Sequence, residues 1–431
     1  MAGNVGSTVD PGANIDFGAS CITNRWRADK LALSLMLFMS MVSITMSLMP
    51  VVTTELENEF SLSGAQIGLL SSVFMLAWAL GAIPMGLAAA RWGGRTLILG
   101  ACLLAVGSIL FAFSSSYPWF VAGRFLQGVG GATVIPVSNP LLAQSISPRF
   151  HARCLGVFGL GHGLGVVAAL LILPSVDKAG GYRAVFLVAA GIALLIALVG
   201  LAQKPVRARP EHLEGIPTFR ELMRGVVAVA TNRRVLLLSV VNIGVMAIVV
   251  GLLAWTPSFL HDQRGASLAV AAYLTAGIGL AQLIGNPVGA AAMARWGKVF
   301  VLVGSLVLMM VVTGLVPVAP GFVLPFACVT IAGFTTMAIF PAIFGSIPGI
   351  VARPEQVGVA SGFVNLTNLA GTLFAPWLFG VLLDTYGTAT GRHGYLLGYL
   401  FLALFPLLGT IAAVVYSVKT KKPVAGPVAG V

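Results

Sequence analysis

Charge is what this chain has least of. Asp, Glu, Lys and Arg make up 9% of its 431 residues, against 58% hydrophobic residues and a mean hydropathy of +0.97. Soluble domains carry charge on about a quarter of their residues, so composition excludes a soluble globular fold and requires a membrane protein. Cysteine is scarce as well. Cys21, Cys102, Cys154 and Cys328 lie far apart with no paired spacing, which argues against a zinc site or a disulfide framework. No Gly-x-x-x-x-Gly-Lys-(Ser/Thr) loop occurs, so an ATP-driven pump has no nucleotide cradle here. Metal-spaced His or Cys clusters are missing, and no Ser-His-Asp set is evident. Neither an enzyme nor a cofactor is expected. The first thirty residues hold no apolar segment and do not read as a cleavable signal peptide.

What is present is a succession of apolar runs of the roughly 20 residues needed to cross a bilayer. They fall near 31–52, 66–90, 96–114, 119–144, 154–174 and 184–202, then near 235–257, 267–292, 299–317, 322–347, 357–383 and 395–418. The tetrapeptide Ala90-Arg91-Trp92-Gly93 returns as Ala294-Arg295-Trp296-Gly297, 204 residues on. A large fixed period of this kind marks a duplicated unit. The expected fold is therefore an all-α membrane protein of twelve transmembrane helices in two pseudo-symmetric six-helix bundles. A tail at 1–30 precedes a first bundle at 31–202, and a linker at 203–233 leads to a second bundle at 234–418 and a tail at 419–431. In the linker, Thr218-Phe219-Arg220-Glu221 after Pro217 reads as a capping box opening a short amphipathic helix on the inner leaflet.

Lys and Arg set the orientation. With the amino terminus inside, 20 basic residues fall on the inner side and 4 on the outer. The net charge of +12 is thus explained by topology, and nucleic acid is not an expected partner. The expected site is the cytoplasmic (inner) membrane, with both termini cytoplasmic and the chain a monomer in the lipid bilayer.

Twelve segments, a 6 + 6 duplication and a basic turn after segments 2 and 8 resemble the major facilitator superfamily over residues 31–418. The family signature Gly-x-x-x-Asp-Arg-x-Gly-Arg-(Arg/Lys) corresponds to the stretch from Gly86 through Arg91, Gly93 and Gly94 to Arg95, with Ala90 in place of the acid and Gly94 in place of an arginine. The resemblance implies a gating turn at Gly86, Arg91, Gly93 and Arg95, echoed by Arg295, and a latch weakened by the missing acid. A second family pattern, Arg-x-x-Gln-Gly, appears as Arg124-Phe125-Leu126-Gln127-Gly128. The proline-containing segment-5 pattern of the drug antiporters is absent; Gly159, Gly161, Gly163 and Gly165 surround His162 without it. The glycines read as helix-packing positions.

All thirteen carboxylates lie in tails, loops or segment ends, so none sits near the midplane to pair with Arg124. An intramembrane arginine costs roughly 2.5–3.5 kcal/mol on insertion scales and marks a substrate or ion path. Its fork suits carboxylate, sulfonate or phosphate. Arg124 and Gln127 share one helical face. Polar stripes at helical spacing add Asn242 in segment 7, Gln282 in segment 8, and Asn365 and Asn368 in segment 11 as substrate-binding candidates. His162 is the candidate for carrying a coupling ion, because imidazole titrates near neutrality; a hydrogen-bonded neutral histidine between glycine-rich helices is the competing expectation. The expected function is alternating-access uptake of a small organic anion, with a co-transported proton or other ion left open. Two other functions stay open at this stage: efflux of amphipathic compounds, and a non-transporting sensor or assembly partner.

Overall fold

Helix is forced on this chain, because lipid leaves every backbone N–H and C=O to be satisfied within its own segment. The computed structural model describes residues 22–207, 227, 229–351, 356–387 and 393–420. The first bundle contains α1 (Arg25–Phe60), α2 (Gly64–Trp92), α3 (Arg95–Ala112), α4 (Tyr117–Leu142), α5 (148–179) and α6 (182–202). The second contains α7 (Arg233–Arg264), α8 (Leu268–Trp296), α9 (Lys298–Leu315), α10 (Val323–Phe344), α11 (Val359–Tyr386) and α12 (Gly394–Thr420).

Helix α5 runs on into α6, so among the described residues eleven long apolar helices account for the twelve segments. The joined helix, Pro148–Ala202, has 55 residues. That is about 80 Å at 1.5 Å per residue, more than twice the hydrocarbon thickness. Gly180 and Gly181 leave helical geometry and fold it back, with Gly181 at φ 67°. Beside them, Glu55 of α1 accepts the Tyr182 amide at 2.6 Å, satisfying a donor that the break leaves free. The amphipathic helix read at Thr218 to Glu221, most of the amino-terminal tail and the residues beyond 420 lie outside the described residues.

Local signals place the helix ends. Asn24 and Asn232 accept the Trp26 and Arg234 amides as N-caps of α1 and α7. Ser63 and Gln66 close a capping box at the start of α2, Ser63 N–H to Gln66 Oε1 at 2.9 Å and Gln66 N–H to Ser63 Oγ at 3.3 Å. The repeated Ala-Arg-Trp-Gly acquires a physical meaning here. Gly93 and Gly297 end α2 and α8 at φ 60° and 83°, and their amides return to the carbonyls of Ala89 and Met293. Only glycine adopts that conformation without strain, so the duplicated tetrapeptide is a duplicated helix stop.

At the end of the bundles opposite these basic turns, α2 and α11 close the seam between the halves. Asp384 accepts the Gly64 amide at 2.6 Å and the Ala65 amide at 2.8 Å. Two turns further along, the Ser72 hydroxyl donates to the Leu373 carbonyl at 2.5 Å. A methyl group on Gly68 would overlap the Pro376 carbonyl, and one on Gly380 the Gly64 carbonyl. The glycines of α5 serve both its neighbours: Gly161 and Gly165 lie on the Met36 and Ser40 backbone of α1, and Gly163 lies against Gly279 and Leu283 of α8 across the seam.

Candidate functional site

Arg124 is among the largest side chains that the fold buries completely, at 1% exposure. The site is built around it by backbone carbonyls of α1 and α2. Pro50 has no N–H, and α1 is interrupted at Ser47 and Leu48. There the Thr45 carbonyl accepts a long 3.4 Å bond from the Leu48 amide. Arg124 Nη1 donates to that carbonyl at 3.0 Å, and Nε donates to the Leu70 carbonyl of α2 at 3.2 Å. The guanidinium also lies over the Phe74 ring, 4.6 Å from its centroid.

Gln127, one turn on, acts as a bracket. Its Oε1 accepts the second Nη1 hydrogen at 2.8 Å. Its Nε2 donates at 2.9 Å to Ser108 Oγ of α3, which in turn donates to the Leu104 carbonyl. Gln127 is wholly buried and holds Arg124. It is absent from the lining of the pocket, where a shared face with Arg124 had placed it.

A guanidinium has five N–H donors. Three are committed to Leu70, Thr45 and Gln127, which leaves the Nη2 amino group without a hydrogen-bond partner among the described residues. No described carboxylate forms an ion pair with Arg124. Arg124 lines a pocket between the halves together with Met46 and Pro50 of α1, Ser71 and Met75 of α2, and Val250, Leu253 and Ala254 of α7. The free space is about one water molecule's worth, so a larger occupant requires the helices to part.

The remaining sequence candidates scatter. Asn242 donates to the Val364 carbonyl at 2.9 Å, tying α7 to α11, while its Oδ1 is buried without a partner. Gln282 is 4% exposed with neither amide atom bonded. Asn368 donates to Asn365 at 3.2 Å on an exposed stretch of α11. None of these four amides lines the Arg124 pocket. His162 Nδ1 lies 2.8 Å from Ser43 Oγ, which also donates to the Met39 carbonyl at 3.1 Å. The hydroxyl has a single proton, so the ring presents Nδ1–H to it, and the pair joins α5 to α1.

At the basic turn, Arg95 Nε donates to the Arg207 carbonyl at 2.8 Å, within its own half. Gly94 is what the 204–207 stretch rests on: a Cβ there would lie 2.7 Å from Val206 Cα and O. Gly86 has only Pro136 within reach of such a Cβ, at 3.8 Å. Arg91 is exposed, and Arg295 extends over the Trp296 ring at 5.6 Å.

Residue types alone did not single out Ser108, the Thr45 and Leu70 carbonyls, Ser71, or the aliphatic wall of α7. Pro50 carries a signal for a break in α1, since its missing N–H leaves the Met46 carbonyl without its helical donor, but it does not single out Thr45. Val250, Leu253 and Ala254 carry none, because nothing distinguishes them from other core aliphatics.

The family model described as Major Facilitator Superfamily matches residues 32–280 and 261–430. The hexuronate transporter of Bacillus subtilis is 26% identical over 93% of this chain and 97% of its own. The gentisate transporter of Corynebacterium glutamicum is 26% identical over 77% of this chain and 76% of its own. A probable 4-methylmuconolactone transporter of Cupriavidus pinatubonensis is 28% identical, but the match spans only 48% of this chain and 50% of that protein. Among solved structures, a bacterial homologue of the human lysosomal transporter Spinster, inward-facing and occupied, superposes with a TM-score of 0.73 at 18% identity, over 90% of this chain and 96% of that one. The nucleoside transporter NupG gives 0.72 at 14% identity, over 93% and 100%. At these identities the structures speak for the fold alone.

Proposed function

The chain belongs to the Major Facilitator Superfamily, and we propose that within it this multi-pass membrane protein takes up a small organic anion across the cytoplasmic membrane by alternating access. The carrying observation is Arg124, a buried side chain in the lining of a pocket that both halves line, whose Nη2 group has no hydrogen-bond partner among the described residues. A buried cation whose remaining donors meet no acceptor is best completed by an anionic ligand. Hexuronate and gentisate, the cargoes for which two relatives are named, are both carboxylates, which agrees with a carboxylate at this place.

The position of the pocket supports alternating access. It sits on the seam, so parting the halves at one end or the other changes the side from which it is reached. With the basic turns facing the cytoplasm, the closed α2–α11 seam is the outer gate. Uptake of a radiolabelled monocarboxylate into proteoliposomes tests the proposal. Arg124→Ala abolishes uptake, and Arg124→Lys lowers it at least tenfold, because a single ammonium cannot serve Leu70, Thr45, Gln127 and a ligand together. Full retention in both variants overturns it.

A further inference from the structure

Resting on the anion-carrier function above, we propose that the pocket selects a monocarboxylate with a compact apolar body, of the benzoate type, and rejects both dianions and polyhydroxylated acids. Three features carry this. The first is donor count. Because Nε and both Nη1 hydrogens are committed to Leu70, Thr45 and Gln127, Arg124 cannot present the two-nitrogen fork that would grip a carboxylate or a phosphate through two parallel bonds. Only the two Nη2 hydrogens remain, enough for one carboxylate.

The second feature is the opposite wall. The carboxy-terminal half contributes Val250, Leu253 and Ala254, which offer a ligand no side-chain donor or acceptor. The amides of that half which the sequence brings forward, Asn242 and Gln282, are not in the lining. A second charge, or a ring of hydroxyls, would therefore be buried against aliphatic carbon without partners, and such burial is costly. The third is the near side, where Met46 and Met75 flank the guanidinium and Ser71 is the one side-chain hydroxyl in the lining. Thioether side chains adapt to a flat or irregular apolar body as the halves part around it. The polar end of the ligand thus belongs to the amino-terminal half and its apolar end to α7.

The test is counterflow in proteoliposomes of the purified full chain, with benzoate, D-glucuronate and phthalate as probes. Glucuronate keeps the single charge and adds hydroxyls; phthalate keeps the ring and adds a charge. The expected result is saturable benzoate exchange, with half-saturating concentrations at least tenfold higher for the other two. Glucuronate or phthalate exchanging as well as benzoate overturns the selectivity while leaving the anion-carrier function standing. Exchange of none of the three overturns both. Leu253→Asn, or Ala254→Ser should the first variant fail to fold, narrows the benzoate-to-glucuronate ratio at least threefold; an unchanged ratio in a folded variant overturns the assignment of the apolar end to α7.

Discussion

Removing the Asp384 carboxylate opens the seam that α2 and α11 close. In the structure both its oxygens accept backbone amides at the first turn of α2, Gly64 at 2.6 Å and Ala65 at 2.8 Å. It adds to the Ser63 cap two acceptors supplied from the other half of the molecule. A capping side chain is worth about 0.5–2 kcal/mol, and the favourable field of a helix N-terminus about 0.3–1 kcal/mol. Asp384 is exposed, so solvent screening places the total near the low end, about 1 kcal/mol. That is roughly a fivefold change in the ratio of closed to open seam. Asp384→Asn keeps one acceptor oxygen and loses the charge, and falls between wild type and Asp384→Ala. Spin labels at Asn58→Cys and Tyr386→Cys, both exposed positions near the closed end, report the population through their distance distribution in a background lacking the four native cysteines. The long-distance fraction rises in the order wild type, Asn, Ala. A distribution that Asp384→Ala leaves unmoved refutes the latch, and shows that the glycine contacts beneath it hold the seam alone.

Gln127→Leu leaves one Nη1 hydrogen of Arg124 buried without its acceptor, at a cost of about 1–3 kcal/mol; a five- to tenfold rise in the half-saturating concentration for carboxylate uptake is expected, with the protein still folded by thermal melting. His162→Gln keeps a donor near Ser43, so any dependence of uptake on external pH persists; its disappearance in a pH series would return the imidazole to the role of coupling group. Gly94→Arg restores the residue type of the family signature, yet its Cβ falls 2.7 Å from the Val206 backbone. It lowers the melting temperature in detergent instead of strengthening the turn, and an equal or higher value would contradict the packing described here.

The helix count, the duplication and the placing of Arg124 were legible because each rests on a local signal: apolar length, glycine where a helix must stop, a charge where none belongs. The direction of a side chain was not. Spacing puts Gln127 and Arg124 on one face, which by itself points both toward the pathway. In the fold the shared face serves to let one hold the other, and this depends on Ser108 being presented by α3. The amides of the polar stripes lie outside the lining of the Arg124 pocket for a related reason. A side chain at helical spacing faces something, but Asn242 faces a backbone carbonyl of α11 and Asn365 faces Asn368. The latch was hidden by distance: Asp384 and Gly64 are 320 positions apart, and an acid at a segment end reads as a solvated loop residue.

The two halves share a scaffold and the arginine of its basic turn but not Arg124 or Asp384, and α2 is where these two departures meet. Its first turn is capped by Asp384 from the second half, and its Leu70 carbonyl accepts Arg124 Nε from α4. Six residues, about 9 Å of helix, separate these points. Between them and just beyond lie the contacts of Gly68 with Pro376 and of Ser72 with Leu373. A close-packed helix moves as a body over so short a distance, so α2 cannot leave α11 without displacing the carbonyl that helps to aim the guanidinium. Parting α2 from α11 and altering the hold on Arg124 are therefore one motion. A carrier built this way needs no buried carboxylate to link its gate to its cargo, because the link is the backbone of α2 itself.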